Sequence, residues 1–235
     1  MFTIADDPSS LAQGLADRVF LEAHAAKGRG QRLAIALSGG STPTLFYQEL
    51  GRRSARIPWS ILDIYFSDER AVPPDHPDSN FGQAHALWLR HAPPGTHIYR
   101  MLGEQGAESA ARHYEQVLTD SIRPVPCFDI VFLGLGADGH IASLFPGMAL
   151  TSKDRVTAVA ATDARTARIS LSLPTLVAAR TRIIVVQGSA KAEPLRQSLK
   201  PDATTPIAAL LRQAPVEWWL DRAAALGLCP QIPHH

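Results

Sequence analysis

Four apolar runs recur along the chain, and each ends in small or polar residues. They are RLAIALSGG (32–40), ILDIYFSDER (61–70), FDIVFLGLG (128–136) and RIIVVQGS (182–189). Short continuous runs rich in Ile, Val, Leu and Phe are typical of strands buried on both faces. The pattern therefore predicts four parallel strands.

Apolar residues between these runs have helical spacing. The sets are Leu11, Leu15 and Val19 after DDPSS, Leu45 and Leu50 after STP, and Tyr114, Val117 and Leu118 before RPVP. A short helix is predicted over 173–180. The segments 155–164 and 167–174 are predicted to be two further strands paired antiparallel, because TDART between them is too short for a crossover helix. Alternating strands and helices predict the α/β class, with residues 1–235 as one domain.

Composition and charge limit the classes of binding partner that this protein can have. The 235 residues are 46% hydrophobic and 19% charged, with a formal net charge of +1. This balance provides no basic surface for nucleic acid, so we expect a small-molecule partner. No leader pattern and no apolar stretch near ~20 residues is present, which predicts a cytoplasmic protein without a membrane partner. Cys127, placed in a buried strand, and Cys229 have no metal or redox spacing and are predicted to be reduced structural thiols.

The loop LSGGSTP (37–43) follows the first predicted strand and leads into a helix. Gly39 and Gly40 let backbone N–H groups approach an anion, and Ser41 and Thr42 add hydroxyls. The alternative is an ordinary glycine turn with Ser41 or Thr42 as the helix N-cap. The loop lacks the lysine of a Walker motif, so a nucleoside triphosphate site is not predicted.

Three cations are further candidates for binding an anion. Arg70 belongs to SDERAVP, where three charged residues follow a strand, and its planar guanidinium suits a phosphate or carboxylate. Lys191 follows a strand-end glycine at the start of a helix, and Arg168 begins an apolar alternating strand. For Glu69 a solvated turn and a functional role both remain open. The segment DSN (78–80) has the composition of a turn and helix cap.

The stretch GLGADGHIASLFPG (134–147) has glycines at the spacing of a dinucleotide fingerprint. A fingerprint needs a long helix after its last glycine, whereas Pro146 and Gly147 interrupt the chain soon after Gly139. The spacing is therefore interpreted as coincidental. The turn instead brings Asp138 and His140 to the carboxyl edge of the sheet, where a neutral imidazole can accept a proton from water.

Taken in order, the segments GGSTP, SDER with VP and DSN, GADGHIASLFPG, RISLSLP and GSAKAEPL resemble the 6-phosphogluconolactonase family over most of the chain. The resemblance implies a three-layer α/β/α, Rossmann-like domain with a mostly parallel central sheet and a small additional strand region. It implies hydrolysis of 6-phospho-D-glucono-1,5-lactone in the pentose phosphate pathway, without cofactor or metal. The expected oligomeric state is a monomer or homodimer, and the sequence does not distinguish the two.

Within this resemblance, His140 is the expected general base and Asp138 orients it or shapes the loop. The expected anion-binding set is Gly39, Gly40, Ser41, Thr42, Arg70, Arg168 and Lys191. Which cation meets phosphate and which meets the carbonyl oxygen is left open. The related glucosamine-6-phosphate deaminases carry a glutamate where this chain has Phe145 and a tyrosine where it has Arg70, which argues against amino-sugar chemistry. A non-catalytic sugar-phosphate sensor and a dehydrogenase are two further hypotheses for the function.

Overall fold

Seven parallel strands form the central sheet of the computed structural model, which describes residues 1–122 and 127–228. The strands of this part of the chain are β1 (Phe2–Ala5), β2 (Leu33–Leu37), β3 (Leu62–Phe66), β4 (Asp68–Arg70), β5 (His97–Ile98), β6 (Ile130–Gly134), β7 (Val156–Val159), β8 (Arg168–Leu171), β9 (Thr181–Val186) and β10 (Glu217–Asp221). The helices are α1 (Pro8–Gly28), α2 (Thr44–Arg52), α3 (Asn80–Leu87), α4 (Ala107–Ser121), α5 (Leu173–Ala178), α6 (Ala192–Ser198), α7 (Pro206–Gln213) and α8 (Arg222–Ala225).

The four strands predicted from apolar runs are neighbours in the middle of the sheet. The sheet order is β1-β10-β9-β6-β2-β3-β5, and every pairing in it is parallel. The prediction of buried parallel strands is confirmed. The sequence patterns did not predict β1, β5 or β10, which lie at the two sides of this group.

Side chains of the central strands alternate between two hydrophobic cores. In β6, Ile130 and Phe132 enter the core that contains α1, α2 and α3, whereas Val131 and Leu133 enter the core that contains α4, α5 and α7. Alternation with a period of two is the geometry of a strand covered on both faces. The helices therefore form a layer on each side of the sheet, and the predicted three-layer α/β/α architecture is confirmed.

A second, three-stranded antiparallel sheet has the order β4-β8-β7. Its β7 and β8 are the two predicted antiparallel strands. The sequence predicts a loop at Asp68–Arg70, but the segment is a strand, because its backbone pairs with β8. This register places Arg70 directly opposite Arg168.

Other predictions need correction or fall outside the described residues. Cys127 lies before β6 rather than within a strand, is half-buried, and its thiol donates to the carbonyl of Ala178 at 2.9 Å. Cys229 and the segment RPVP (123–126) lie outside the described ranges. None of the helices in residues 1–122 and 127–228 is long and apolar enough to cross a membrane.

Candidate active site

A pocket of about 200 Å³ opens where the carboxyl ends of the parallel strands meet. Its lining includes eight of the nine predicted site residues: Gly39, Gly40, Ser41, Thr42, Arg70, His140, Arg168 and Lys191. Ligands of open α/β sheets bind at this edge. Larger grooves, of about 370, 380 and 530 Å³, lie along α4 and contain none of these residues.

The hydroxyls of the loop after β2 do not cap the helix that follows. Pro43 occupies the N-cap position of α2, where no side chain caps the helix. The interpretation of Ser41 or Thr42 as an ordinary N-cap is therefore wrong. Gly39 is required here, since a Cβ on it would lie 1.7 Å from Oδ1 of Asn80, and Gly40 has a φ of 91°. The loop presents backbone and two hydroxyls to the pocket.

His140 and Asp138 form a hydrogen-bonded pair. Nδ1 of His140 lies 2.6 Å from Oδ1 of Asp138, and the His140 backbone N–H donates to the same oxygen at 3.2 Å. Partial burial alone would raise the pKa of Asp138, but these hydrogen bonds outweigh it and lower the pKa below its ordinary value of 3.8. An ionised carboxylate can only accept, so Nδ1 carries the proton and neutral His140 has its free electron pair on Nε2.

The backbone around His140 depends on small residues. A Cβ on Gly136 would lie 2.1 Å from Nδ1 of His140. Gly139 has a φ of 80° and faces Thr205, whose Cγ2 would be 2.7 Å from an added Cβ. No helix follows β6 between residues 135 and 155, all of which are described. The glycines of this stretch therefore shape the histidine turn, and the structure lacks the helix that a dinucleotide fingerprint requires.

Arg70 and Arg168 are a pair of like charges without an ion-pair partner within 4.0 Å among the described residues. They are register partners on β4 and β8. The Nε atoms of both are buried without a hydrogen-bond partner in this part of the chain. Burial lowers the pKa of Arg168, and the neighbouring charge of Arg70 lowers it further. Like charges opposite each other in a ladder are destabilising, so the pair is suited to an anion.

Lys191 approaches the pocket from the other side. The turn after β9 passes through Gly188, whose φ is 88°, and ends at Lys191 before α6. The ammonium of Lys191 donates to the carbonyl of Leu135 at 2.9 Å. An ammonium has three donors, so this bond positions Nζ in the pocket and leaves two donors for a ligand.

Glu69 has a structural role, because it is buried rather than in a solvated turn and does not line the pocket. It points away from the pocket because successive residues of β4 face opposite sides. Its side chain is buried and accepts from the backbone N–H groups of Arg70, Asn80 and Phe81 and from the Ser79 hydroxyl. Burial raises the pKa of Glu69, and these donors act in the opposite direction. The carboxylate thus joins β4 to the start of α3.

Asp68 and Asn80 also line the pocket, although the sequence patterns predict neither as a site residue. Asp68 accepts from the Ser143 hydroxyl at 2.6 Å and from Nδ2 of Asn80 at 3.3 Å. Oδ1 of Asn80 is buried and has no partner among the described residues. The available signal was the position of Asp68 directly after an apolar strand. Ser79, as predicted, caps α3 by accepting from Gly82 N–H at 3.0 Å.

The chain is similar in sequence and fold to known proteins. A family described as glucosamine-6-phosphate isomerases/6-phosphogluconolactonase matches residues 6–219. A 6-phosphogluconolactonase of Synechocystis is 36% identical over 219 residues, covering 89% of each chain. The human 6-phosphogluconolactonase is 34% identical over 97% of this chain and 92% of its own. The solved 6-phosphogluconolactonase of Trypanosoma brucei has a TM-score of 0.86 at 28% identity, covering 97% of this chain and 98% of its own.

Proposed function

Because the chain belongs to the family of glucosamine-6-phosphate isomerases and 6-phosphogluconolactonases, we propose that it hydrolyses 6-phospho-D-glucono-1,5-lactone to 6-phospho-D-gluconate. This is the second step of the oxidative pentose phosphate pathway. The 6-phosphogluconolactonases named above resemble the chain over nearly its whole length. The observation that carries the proposal is the hydrogen-bonded His140–Asp138 pair beside a pocket lined by three cations.

His140 acts as the general base in this proposal. Its Nε2 accepts a proton from water while the water oxygen forms a bond to the lactone carbonyl carbon. The tetrahedral intermediate then collapses, the bond from this carbon to the ring oxygen breaks, and the imidazolium returns the proton to the leaving oxygen. Asp138 stabilises the imidazolium and holds the ring in the productive tautomer. Because water itself adds to the carbonyl carbon, these bond changes involve no covalent bond between the substrate and the enzyme.

The cations bind two negative groups, which are the phosphate of the substrate and the oxyanion that forms at the carbonyl. Binding energy from a phosphate that does not react can position the ester for attack, and a positive group near the carbonyl stabilises the oxyanion. The loop Gly39–Thr42 supplies N–H and hydroxyl donors for the phosphate, together with cations of the set Arg70, Arg168 and Lys191. These assignments rest on the shared pocket lining and on the buried Nε atoms of Arg70 and Arg168, which have no hydrogen-bond partner among the described residues.

The lactonase reaction is favoured over amino-sugar deamination. This chain has Phe145 at the position where the related deaminases carry a glutamate. Phe145 is buried and packs against His140, with ring centroids 4.7 Å apart. An apolar ring cannot carry the proton transfers of sugar ring opening. Cofactor independence, a cytoplasmic location and a monomeric or dimeric state remain predictions from the sequence.

Proton release tests the proposal directly. Freshly generated 6-phosphogluconolactone is added to the protein in weak buffer, and acid production is compared with spontaneous hydrolysis in its absence. We expect catalysed release with the phosphorylated lactone and a much lower kcat/KM with glucono-1,5-lactone. Ammonia release from glucosamine 6-phosphate is measured in parallel. Ammonia release without lactone hydrolysis, or equal kcat/KM for the two lactones, would overturn the assignment.

A further inference from the structure

A third arginine accompanies Arg70 and Arg168, although the sequence patterns did not single it out. Among the described residues, three arginines have a buried Nε without a hydrogen-bond partner, and they are Arg70, Arg165 and Arg168. None of the three has a carboxylate within 4.0 Å in this part of the chain. An unpartnered buried N–H is costly, and three of them close together indicate a missing acceptor.

The backbone of Arg165 is held by a tight turn between β7 and β8. The N–H of Thr162 donates to the carbonyl of Arg165 at 2.8 Å, and the N–H of Arg165 donates back to the carbonyl of Thr162 at 3.1 Å. Arg168 follows three residues later at the start of β8. The turn therefore presents two guanidinium groups from one short stretch of chain.

Phe145 supports both side chains. The guanidinium carbon of Arg165 lies 3.5 Å from the centroid of the Phe145 ring, and that of Arg168 lies 5.8 Å from it. The same ring contacts the imidazole of His140. The positive charge of Arg165 contributes, after burial and Arg70, to lowering the pKa of Arg168, which agrees with their proximity. One aromatic ring thus joins two cations to the histidine turn.

We propose that Arg165 is a further substrate-binding residue that acts with Arg168 on the phosphate monoester of the ligand. The identity of that ligand rests on the proposed function. Arg168 lines the pocket, and Arg165 does not line it but lies over the same Phe145 ring, so Arg165 adds a second positive charge beside Arg168. A dianion suits this arrangement because it can accept from both guanidiniums and neutralise their mutual repulsion.

The test uses Arg165→Gln and Arg165→Lys, with Arg180→Gln as the matched control. Arg180 has a largely exposed side chain just before β9, at the opposite edge of the sheet from the pocket. Binding of inorganic phosphate is measured by calorimetry at constant ionic strength, independently of turnover. We expect Arg165→Gln to weaken phosphate binding by about tenfold, Arg165→Lys to restore part of it, and the control to match wild type.

Kinetics with the two lactones separate binding from packing. Arg165→Gln should raise KM for the phosphorylated lactone by about tenfold, with kcat changed less than about twofold and glucono-1,5-lactone unaffected. Unchanged phosphate binding, or an equal loss with both lactones, would overturn the proposal and leave Arg165 as a support for Phe145. Wild-type protein that binds phosphate but hydrolyses neither lactone would contradict the proposed function while leaving the phosphate contact intact.

Discussion

A Cβ atom on Gly136 would lie 2.1 Å from Nδ1 of His140, the nitrogen that is hydrogen-bonded to Asp138. Real Cβ atoms do not approach other heavy atoms so closely, so either the ring or the turn would have to move. The absence of a side chain at position 136 is therefore part of what positions the imidazole.

Gly136→Ala should lower kcat by at least about tenfold, because displacing a catalytic group by about 1 Å can reduce the rate about 100-fold. Steady-state kinetics on the phosphorylated lactone provide the measurement. Gly28→Ala is the control, since Gly28 is in α1 and the added Cβ would have no atom within 4 Å beyond the neighbouring backbone of that helix. Normal turnover in Gly136→Ala would show that the turn accommodates the methyl group without moving His140.

His140→Ala should lower kcat by about 100-fold or more while the protein stays folded, as expected for loss of a general base. Asp138→Asn should lower kcat less, because an amide oxygen can still accept from Nδ1–H but does not stabilise the imidazolium as a carboxylate does. Both kcat values are compared after circular dichroism has verified folding. A near-normal kcat in His140→Ala would remove this residue from the mechanism.

As the pH is lowered, kcat/KM should fall through the protonation of a single group. Hydrogen bonds from His140 outweigh partial burial and lower the pKa of Asp138 below 3.8, so this carboxylate keeps its charge over about pH 5 to 8. Its contribution to stability is present throughout that interval and is lost only as the pH falls through its lowered pKa. We expect a slope of one when the logarithm of kcat/KM is plotted against pH on the acid side. A slope of two would mean that a second essential group titrates.

Lys191→Ala should raise KM by roughly one to two orders of magnitude if Nζ contacts the phosphate, because a charge-assisted hydrogen bond contributes about 1.5–3 kcal/mol. The value of kcat should fall less than kcat/KM, since His140 is unchanged. Arg70→Ala measured in parallel shows which cation acts on the carbonyl, where loss of oxyanion stabilisation lowers kcat. Unchanged KM in Lys191→Ala would leave Arg70 and Arg168 as the main anion ligands.

Glu69→Gln should lower the free energy of unfolding by about 2 kcal/mol or more. The amide NH₂ would face N–H and hydroxyl donors that the carboxylate now accepts from, and each unsatisfied buried donor costs about 1–3 kcal/mol. Urea denaturation measures the change. Glu108→Gln on the first turn of α4 is the exposed control. Equal stability of the two variants would show that Glu69 does not hold β4 to α3.

The four central strands and their loops were predictable because their signals are local. Strands such as β2 and β6 are covered on both faces, so nearly every side chain in them is apolar and the run is visible in the sequence. Parallel strands also share one carboxyl edge, so the order of the loops was enough to predict that Thr42, His140 and Lys191 meet there.

Only the tertiary structure decided β4, because a strand of three charged residues has no hydrophobic period and exists through pairing with β8 about 100 residues later. That pairing sets Arg70 opposite Arg168 and buries Glu69 under backbone N–H donors of α3. The proposed role of Arg165 likewise depends on the tertiary structure, which brings Arg165 and the Arg168 guanidinium to the same Phe145 ring. The burial of apolar residues can be predicted from the local sequence, because each residue contributes its own hydrophobicity to the pattern. The partner of a charged side chain cannot, because it lies on a segment that is distant in the sequence and adjacent only in the folded protein.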